Sequence, residues 1–366
     1  MKGLYIHIPF CSSKCKYCDF YSVAPKENQM DSYLTAVLSA LHKNKTEGMF
    51  DTIYFGGGTP SFFGGKRISK IIKEAFNCFS FAEDTEITVE CNPSSVDEEL
   101  VKDLALSGVN RISMGVQSAI DAERNLLGRK SDSDEVRKAL KLFEKYSISN
   151  ISLDLMLGIP SQTRKSLDRS LDFIISSGCK HISIYMLKIE ENTPLYKEQH
   201  SLSFPDEDTV CDMYLHCVNR LHNYGYLQYE ISNFAVPGFE SRHNTKYWKC
   251  EEYLGIGPSA HSFLNSKRFY YPRSLTDFIE GNDMIFECDG GDREEFVMLS
   301  LRLSEGLSFE EYEKRFSEKI SDAVKEKCRF FEKKGLVKLT DESFSLTPEG
   351  FLLSNSIISE ILSILT

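Results

Sequence analysis

The stretch Tyr5-Ile-His-Ile-Pro-Phe-Cys-Ser-Ser-Lys-Cys-Lys-Tyr-Cys-Asp-Phe20 places three cysteines directly after an apolar run that is typical of a β-strand. Cys11, Cys15 and Cys18 form a C-x-x-x-C-x-x-C pattern, close enough in the chain for three thiolates to reach one metal centre. Thiolates favour iron–sulfur clusters, zinc or copper(I). Structural zinc and an ordinary four-iron cubane both take four ligands. No fourth Cys or well-spaced His follows, so the pattern favours a [4Fe-4S] cluster with one iron open to a chelating molecule. A zinc loop or unrelated thiols are the alternatives.

The composition is that of a globular protein. The chain has 366 residues, of which 41% are hydrophobic and 27% are charged, enough for one large or two ordinary domains. The net charge of −11 argues against affinity for nucleic acid or for an anionic membrane. Metal binding requires reduced thiols, so the cysteine loop predicts a reducing, cytoplasmic location. Pro9 interrupts the N-terminal apolar run, which therefore does not resemble a signal peptide, and no apolar stretch is long enough for stable membrane insertion.

Strand-like runs alternate with amphipathic, helix-like stretches along the first half of the chain. This alternation predicts an α/β fold of βαβ units, and six such units form an incomplete (β/α)6 barrel. Functional residues are expected at the C-terminal ends of the strands, where Gly56-Gly-Gly-Thr-Pro60, Glu90, Gln117 and Asp154 fall. The predicted strands are Leu4–Ile8, Thr52–Phe55, Glu86–Glu90, Arg111–Met114, Ser152–Met156 and His181–Met186, and the predicted helices include Ser32–Leu41, Lys66–Phe76, Glu98–Ser107, Asp134–Tyr146 and Arg164–Ser176.

Three segments are expected along the chain: the partial barrel (1–200), a less regular, aromatic-rich extension (201–290) and a C-terminal module (291–366). In the module, three helix-like stretches precede a hairpin pattern, and Pro348 opens a last helix. This order resembles a small, mostly helical winged-helix domain. Because the module has 11 Lys and Arg against 15 Asp and Glu, we expect it to pack or to dock a partner and not to bind DNA.

Several motifs together are similar to the oxygen-independent coproporphyrinogen III oxidase (HemN) and HemW branch of the radical S-adenosylmethionine (SAM) superfamily. The resemblance covers nearly the whole chain. It implies that Cys11, Cys15 and Cys18 hold a [4Fe-4S] cluster whose open iron takes the amino and carboxylate groups of SAM. It also implies a reductant such as flavodoxin or ferredoxin. The matching motifs are the cysteine run with Tyr17, Gly56-Gly-Gly-Thr-Pro60, Glu90, Gly115-Val-Gln117 and Asp154-Leu-Met-Leu-Gly-Ile-Pro160.

The resemblance further implies a set of SAM contacts whose chemistry suits that ligand. Gly57 and Gly58 allow close backbone approach, and Thr59 adds a hydroxyl group. The Glu90 carboxylate can accept two hydrogen bonds from a ribose diol, and the Arg129 guanidinium suits the SAM carboxylate. The alternatives are a plain turn, a solvated strand-end acid, a surface charge and, for the aromatic residues, core packing. The remaining implied contacts are Tyr5, Tyr17, Gln117 and Asp154.

Two features separate the branches of this family. The oxidase typically carries a further Cys two residues past the third, where this chain has Phe20, and a long segment ahead of the first strand, whereas Tyr5 lies near the start here. Both departures argue against decarboxylase activity. The sequence His243-Asn-Thr-Lys-Tyr-Trp248 matches the H-N-x-x-Y-W signature of HemW. The resemblance therefore implies a haem chaperone that delivers haem, as cargo, to an acceptor protein.

The haem candidates follow from the same motif. His243 offers an imidazole to haem iron, and Tyr247 with Trp248 offers a wall for a porphyrin face. A core tryptophan beside a histidine that holds a loop is the structural alternative. At the level of function, the alternatives are an oxygen-independent coproporphyrinogen III dehydrogenase and a radical SAM enzyme that acts on an unrelated substrate.

Overall fold

Six parallel strands form the centre of the fold in the computed structural model, which describes residues 1–365. They lie side by side in chain order, and each contains one of the six predicted strands. Helices connect them, so the expected partial (β/α)6 barrel is confirmed. The strands are β1 (Lys2–Ile8), β2 (Met49–Gly57), β3 (Ser80–Cys91), β4 (Arg111–Gln117), β5 (Asn150–Leu157) and β6 (His181–Met186). The helices are α1 (Gln29–Lys43), α2 (Pro60–Phe63), α3 (Gly65–Cys78), α4 (Glu98–Leu106), α5 (Asp121–Leu126), α6 (Ser133–Lys145) and α7 (Arg164–Ser176).

Alternation along each strand divides the barrel into an apolar outer layer and a polar interior. On β1, Leu4, Ile6 and Ile8 are fully buried beneath the helices, whereas Tyr5 and His7 point into the interior. Burying each large aliphatic side chain stabilises the fold by about 1.5–3 kcal/mol. The outer layer therefore holds the barrel together, and the interior is left for polar side chains.

Residues 201–290 extend the same sheet on both sides of the barrel. The short strands β7 (Leu227–Gln228) and β8 (Asn233–Ala235) lie beyond β6, with β8 next to it. On the other side, β9 (Tyr253–Ile256) runs parallel to β1, and three antiparallel neighbours continue to the sheet edge. The strands and helices not yet named in this region are β10 (His261–Leu264), β11 (Lys267–Tyr270), β12 (Ile285–Asp289), α8 (Pro194–Glu198), α9 (Glu207–Asn223), α10 (Arg242–Trp248) and α11 (Leu275–Ile279).

The C-terminal module combines helices with a three-stranded antiparallel sheet in the order β13-β15-β14. The predicted hairpin forms, and a third, two-residue strand joins it, which gives the expected winged-helix arrangement. The module docks on the sheet extension, where the Arg268 guanidinium binds the Glu295 carboxylate. Its elements are α12 (Arg293–Ser300), β13 (Leu307–Ser308), α13 (Phe309–Phe316), α14 (Asp322–Glu332), β14 (Val337–Leu339), β15 (Ser343–Leu346), α15 (Pro348–Leu352) and α16 (Ser354–Leu362). Among the described residues, no helix combines the length and apolar character that a membrane span requires.

Candidate functional site

The three cysteines lie in a loop that crosses the C-terminal end of the barrel between β1 and α1. Backbone hydrogen bonds tie this loop to the connections that follow β4 and β6. The Lys16 N–H donates to the Leu127 carbonyl oxygen (2.9 Å), and the Leu195 N–H donates to the Lys16 carbonyl oxygen (2.9 Å). The Cys11 N–H donates to the Val23 carbonyl oxygen (3.1 Å) and closes the loop on itself. The barrel therefore holds the cysteine loop from several sides.

The spacing of the thiols fits a cluster better than a single ion. Cys11, Cys15 and Cys18 are free and partly buried, and burial raises the pKa values of Cys15 and Cys18. Neutral thiols in such surroundings become thiolates when a metal binds them. Within residues 1–365, the only group of metal-binding side chains whose ligand atoms all lie within 4.8 Å of one another is on α1 and α3: His42, Glu74 and Cys78. The three loop thiols are not all this close to one another in the structure.

The glycine loop after β2 packs directly against the cysteine loop. The Gly58 N–H donates to the Ile8 carbonyl oxygen and the Thr59 N–H to the Phe10 carbonyl oxygen, both at 2.8 Å. A Cβ atom at Gly58 would lie 2.8 Å from both carbonyl oxygens, so only glycine fits. The Thr59 hydroxyl lies 3.2 Å from the Cys11 sulfur. The structure therefore brings Gly58 and Thr59 to the first cysteine, in line with the sequence expectation.

Glu90 is a buried carboxylate at the end of β3. The Tyr54 hydroxyl donates to its Oε1 (2.9 Å), and the Gly57 N–H donates to its Oε2 (3.2 Å). Burial raises the pKa of Glu90 to about 7. Burial also raises the pKa of Asp154 on β5, which faces the same interior and receives hydrogen bonds from serine hydroxyls. The carboxyl groups of Glu90 and Asp154, both with raised pKa values, therefore share the part of the barrel interior that lies towards the C-terminal ends of the strands.

Arg129 and Gln117 bring unsatisfied polar atoms to the same end. The Arg129 Nε and the Gln117 Oε1 are buried and have no hydrogen-bond partner within residues 1–365. A Cβ atom at Gly115 would overlap the Arg129 guanidinium, which shows how closely that group passes over β4. Gln117 has a left-handed backbone (φ 67°). Buried polar atoms normally have partners, so this donor and this acceptor indicate a ligand.

The two aromatic candidates occupy different depths of the barrel. Tyr17 packs with Leu127, Met156 and Ile159 beneath the cysteine loop, beside the Arg129 guanidinium. Tyr5 lies deeper, where its hydroxyl is 3.1 Å from His7 Nδ1. Tyr17 is thus close to the cysteines, whereas Tyr5 lies in the middle of the barrel interior, below the cysteine loop.

Together these groups fit a ligand that carries carboxylate, ammonium and hydroxyl groups. The Arg129 guanidinium is suited to a carboxylate. The Glu90 carboxylate can accept hydrogen bonds from hydroxyl groups when it is ionised. The chelating end of such a ligand would face Cys11 and Thr59. The donor set therefore suits SAM on a three-cysteine cluster.

The haem candidates lie at the opposite end of the barrel. Gly3, Thr52 and Glu86, which pair side by side on β1, β2 and β3, surround His243. Gly3 is the second residue of β1. His243 is 0% exposed, with Nδ1 2.8 Å from the Thr52 hydroxyl and Nε2 2.8 Å from the Tyr247 hydroxyl. Burial lowers the pKa of His243 to about 3, so the ring stays neutral. Both nitrogens are occupied, which favours the alternative of a histidine that holds α10 in place.

Tyr247 and Trp248 do not form an open wall in this structure. The Tyr247 ring packs edge-on against Tyr253 and its hydroxyl binds His243, while Trp248 Nε1 is buried and has no partner within residues 1–365. The motif that the sequence singled out for haem therefore closes the floor of the barrel.

Arg111 is a residue that the sequence analysis missed. Its side chain is 1% exposed at the start of β4, and its Nε and one Nη have no partner within residues 1–365. It lowers the pKa of both Glu90 and Asp154 against the effect of burial. A charged residue at a strand start inside a barrel is a signal that could have identified it, since charged residues are almost never fully buried without a partner.

Comparisons with known proteins show which family the chain resembles. Residues 5–174 match the model of the radical SAM superfamily, and residues 292–353 match that of the HemN C-terminal domain. The chain is similar to the haem chaperone HemW of Lactococcus lactis (31% identity, covering 98% of this chain and 96% of that one) and to that of Bacillus subtilis (31%, 99% of each). It is also similar to the mouse radical S-adenosyl methionine domain-containing protein 1 (34%, 71% of this chain and 60% of that one).

Among solved structures, coproporphyrinogen III oxidase (HemN) from Escherichia coli has the same fold. The TM-score is 0.84 at 21% identity, and the match covers 99% of this chain and 90% of that one. At this identity the likeness concerns the fold, whereas the two bacterial relatives above match nearly the whole sequence. The chain therefore belongs to the HemW family of the radical SAM superfamily.

Proposed function

We propose that this protein is a haem chaperone that binds a [4Fe-4S] cluster, SAM and haem, and that delivers haem to acceptor proteins. The observation that supports this function best is the similarity of nearly the whole chain to several proteins named haem chaperone HemW. The position of the oxidase's additional Cys is held by Phe20, whose side chain is 69% exposed and offers no metal ligand.

In this proposal, Cys11, Cys15 and Cys18 hold the cluster. Thr59 stands beside the Cys11 sulfur, and the backbone of Gly57 and Gly58 shapes the approach to it. When bound, the cluster and SAM together supply reductive cleavage of a sulfonium bond. The protein residues bind and orient: Arg129 meets the carboxylate, Glu90 meets the ribose hydroxyls, and Gln117, Asp154, Tyr17 and Tyr5 line the remaining space.

The partners follow from the same proposal. Reduction of the cluster needs an electron donor, for which a flavodoxin or a ferredoxin has the right chemistry. Free thiols in a metal-binding loop need a reducing compartment, so we propose a cytoplasmic protein.

Coproporphyrinogen III oxidation is the second candidate, because the fold matches that of the Escherichia coli oxidase with a TM-score of 0.84. An anaerobic comparison of two activities separates the candidates. The cluster-loaded protein is incubated with coproporphyrinogen III, SAM and dithionite, and a parallel sample is titrated with haem. We expect saturable haem binding and no protoporphyrinogen IX. Rapid decarboxylation without stoichiometric haem binding would assign the chain to the oxidase activity.

A further inference from the structure

The cysteine end of the barrel presents an accessible imidazole that belongs to none of the groups described so far. His261 is the first residue of β10, and its side chain is 53% exposed. Because β9 is parallel to β1 and β10 is antiparallel to β9, the start of β10 lies nearer to the C-terminal end of the barrel strands than Phe263 does. Phe263 is level with Gly3, which faces His243, and His261 is two residues closer to the cysteine loop, level with Tyr5.

The His261 side chain is also on the inner side of the sheet. Tyr253 pairs with Gly3, which faces His243 inside the barrel, and Phe263 pairs with Tyr253. Paired residues share a face of the sheet, and residues two apart on a strand share a face as well. His261, two residues before Phe263, therefore projects on the side of the barrel interior, beyond the part of this face that the C-terminal module covers.

His261 begins a cross-strand row of apolar character. It pairs with Tyr270 on β11, which pairs with Ile285 on β12, and we call these three residues the His261 row. The His261 and Tyr270 rings stack with centroids 5.8 Å apart, and Ile285 is 45% exposed. With strands about 4.8 Å apart, the row is about 10 Å long, the scale of a porphyrin ring. It offers a flat, partly aromatic surface beside an imidazole.

The carboxylate of Glu287 lies near the His261 ring. Its Oε2 lies 3.5 Å from Nδ1, and within residues 1–365 Nε2 has no hydrogen-bond partner. Histidines that bind metals usually direct their other ring nitrogen to a carboxylate or a carbonyl, which fixes the tautomer and makes the free nitrogen a better ligand. Glu287 is placed to take this role for His261, whose side chain is 53% exposed.

A cation connects the His261 row to the cysteine loop. Arg273 follows Tyr270 by three residues. Its guanidinium donates to the Asp19 carbonyl oxygen (2.8 Å) and lies 3.8 Å from the Asp19 carboxylate, while remaining more than half exposed. An exposed guanidinium at this rim can pair with a carboxylate of a docking molecule.

We propose that haem docks on the His261 row, with His261 Nε2 as the axial ligand of iron and Arg273 as the partner of a propionate. This inference rests on the proposed haem-chaperone function and names its cargo site. The other described histidines are less suited. Three are buried in the barrel, one has both ring nitrogens occupied, and the remaining three have no aromatic ring stacked against them within residues 1–365. In that order they are His7, His181 and His243; His216; and His42, His200 and His222.

The test is a haem titration of cluster-loaded protein, followed by the Soret band and by the electron paramagnetic resonance of ferric haem. The variants are His261→Ala, its control His222→Ala at an exposed histidine on α9, and His261→Gly with added imidazole. We expect His261→Ala to weaken haem binding at least about tenfold, the lower end of what loss of even an outer-shell partner costs a metal site. His222→Ala should behave as the parent protein, and imidazole should restore the parent spectrum in His261→Gly.

Iron-free protoporphyrin IX distinguishes binding of the haem iron by His261 from packing of the porphyrin against the row. Because it has no iron, the His261→Ala variant and the parent protein should bind it with the same affinity. An unchanged haem spectrum and affinity in His261→Ala would overturn this site and leave the proposed function standing. Equal weakening of haem and iron-free porphyrin would overturn the ligand role. If the parent protein itself binds no haem, the proposed function fails and the site fails with it.

Discussion

At the residue scale, the site contains Glu90 and Arg129, two ionisable groups whose charged forms are disfavoured by burial and favoured by their neighbours. Glu90 is desolvated, yet Tyr54 and the Gly57 N–H donate to it and Arg111 stabilises its charge. Burial alone would lower the pKa of Arg129, but its neighbours, Tyr17 foremost, reverse that direction and raise it. A ligand with complementary charges would satisfy these groups, so each gives a separate prediction for SAM binding.

SAM affinity should rise with pH through about 7, the value to which burial raises the pKa of Glu90. The ionised carboxylate accepts hydrogen bonds at both oxygens, whereas the protonated form keeps only part of this capacity. The groups that face it are Tyr54, Asp154, Arg111 and the Gly57 N–H. Glu90→Gln should remove this pH dependence, as measured by equilibrium dialysis of SAM with cluster-loaded protein. The unfolding free energy should move in the opposite direction, because a raised carboxyl pKa lowers stability as pH increases. A pH profile that is the same in both proteins would exclude Glu90 from the SAM site.

Arg129→Ala should weaken SAM binding by about 1.5–3 kcal/mol, the value of a hydrogen bond to a charged group. The side chain is inside the barrel beside Tyr17, and its Nε has no partner within residues 1–365. The control is Arg137→Ala on α6, an exposed guanidinium paired with Asp134. If SAM affinity falls equally in both variants, or in neither, Arg129 does not bind the SAM carboxylate.

At the element scale, the site depends on two loops packed backbone to backbone. Gly58→Ala should reduce cluster loading, because a Cβ atom there would displace the carbonyl groups of Ile8 and Phe10. We expect an accompanying loss of about 1–3 kcal/mol in unfolding free energy, as for other overpacked sites. Gly178→Ala is the matched control, since no atom lies within 4 Å of its added Cβ, although its φ is 71°. Full iron and sulfide content in Gly58→Ala would show that the cysteine loop does not need this contact.

Helix α10 closes the barrel floor through His243. Replacing His243 by Ala leaves the Thr52 and Tyr247 hydroxyls unpaired and opens a cavity, so the unfolding free energy should fall by about 2–4 kcal/mol. Urea unfolding of the cluster-free protein measures the loss. Haem bound to the folded variant should keep the spectrum of the parent complex. A variant of unchanged stability with an altered haem spectrum would reverse this interpretation and return His243 to the cargo site.

Strong periodicity made the six barrel strands and the main helices between them predictable, because each strand pairs with a neighbour close in sequence. Local pattern was insufficient for β9, a four-residue strand whose partner β1 lies about 250 residues earlier, and for α9, which interrupts a region expected to be irregular. Motif spacing identified Cys11 and Glu90, but it could not tell which end of the barrel His243 occupies. That depends on α10 packing against strand starts that are distant in sequence.

At the scale of the whole molecule, the C-terminal module belongs to the wall of the barrel. The Ile231 N–H donates to the Arg302 carbonyl oxygen and the Ser304 N–H to the Tyr229 carbonyl oxygen, both at 2.9 Å. The module has more acidic than basic residues, so it lacks the excess of positive charge that is typical of DNA-binding domains. One of its faces makes these contacts with the barrel. One face of the winged-helix arrangement is therefore packed against the barrel.

The central claim is that one chain holds both a three-cysteine cluster and haem. Iron, acid-labile sulfide and protoporphyrin are counted in a single anaerobic sample after haem loading and gel filtration. We predict about five irons, four sulfides and one porphyrin per chain, because the cluster supplies four irons and haem one. The variant with Cys11, Cys15 and Cys18 replaced by Ala should keep about one iron and one porphyrin and lose the sulfide. Four irons with no retained porphyrin, or bound zinc in place of iron, would contradict the account.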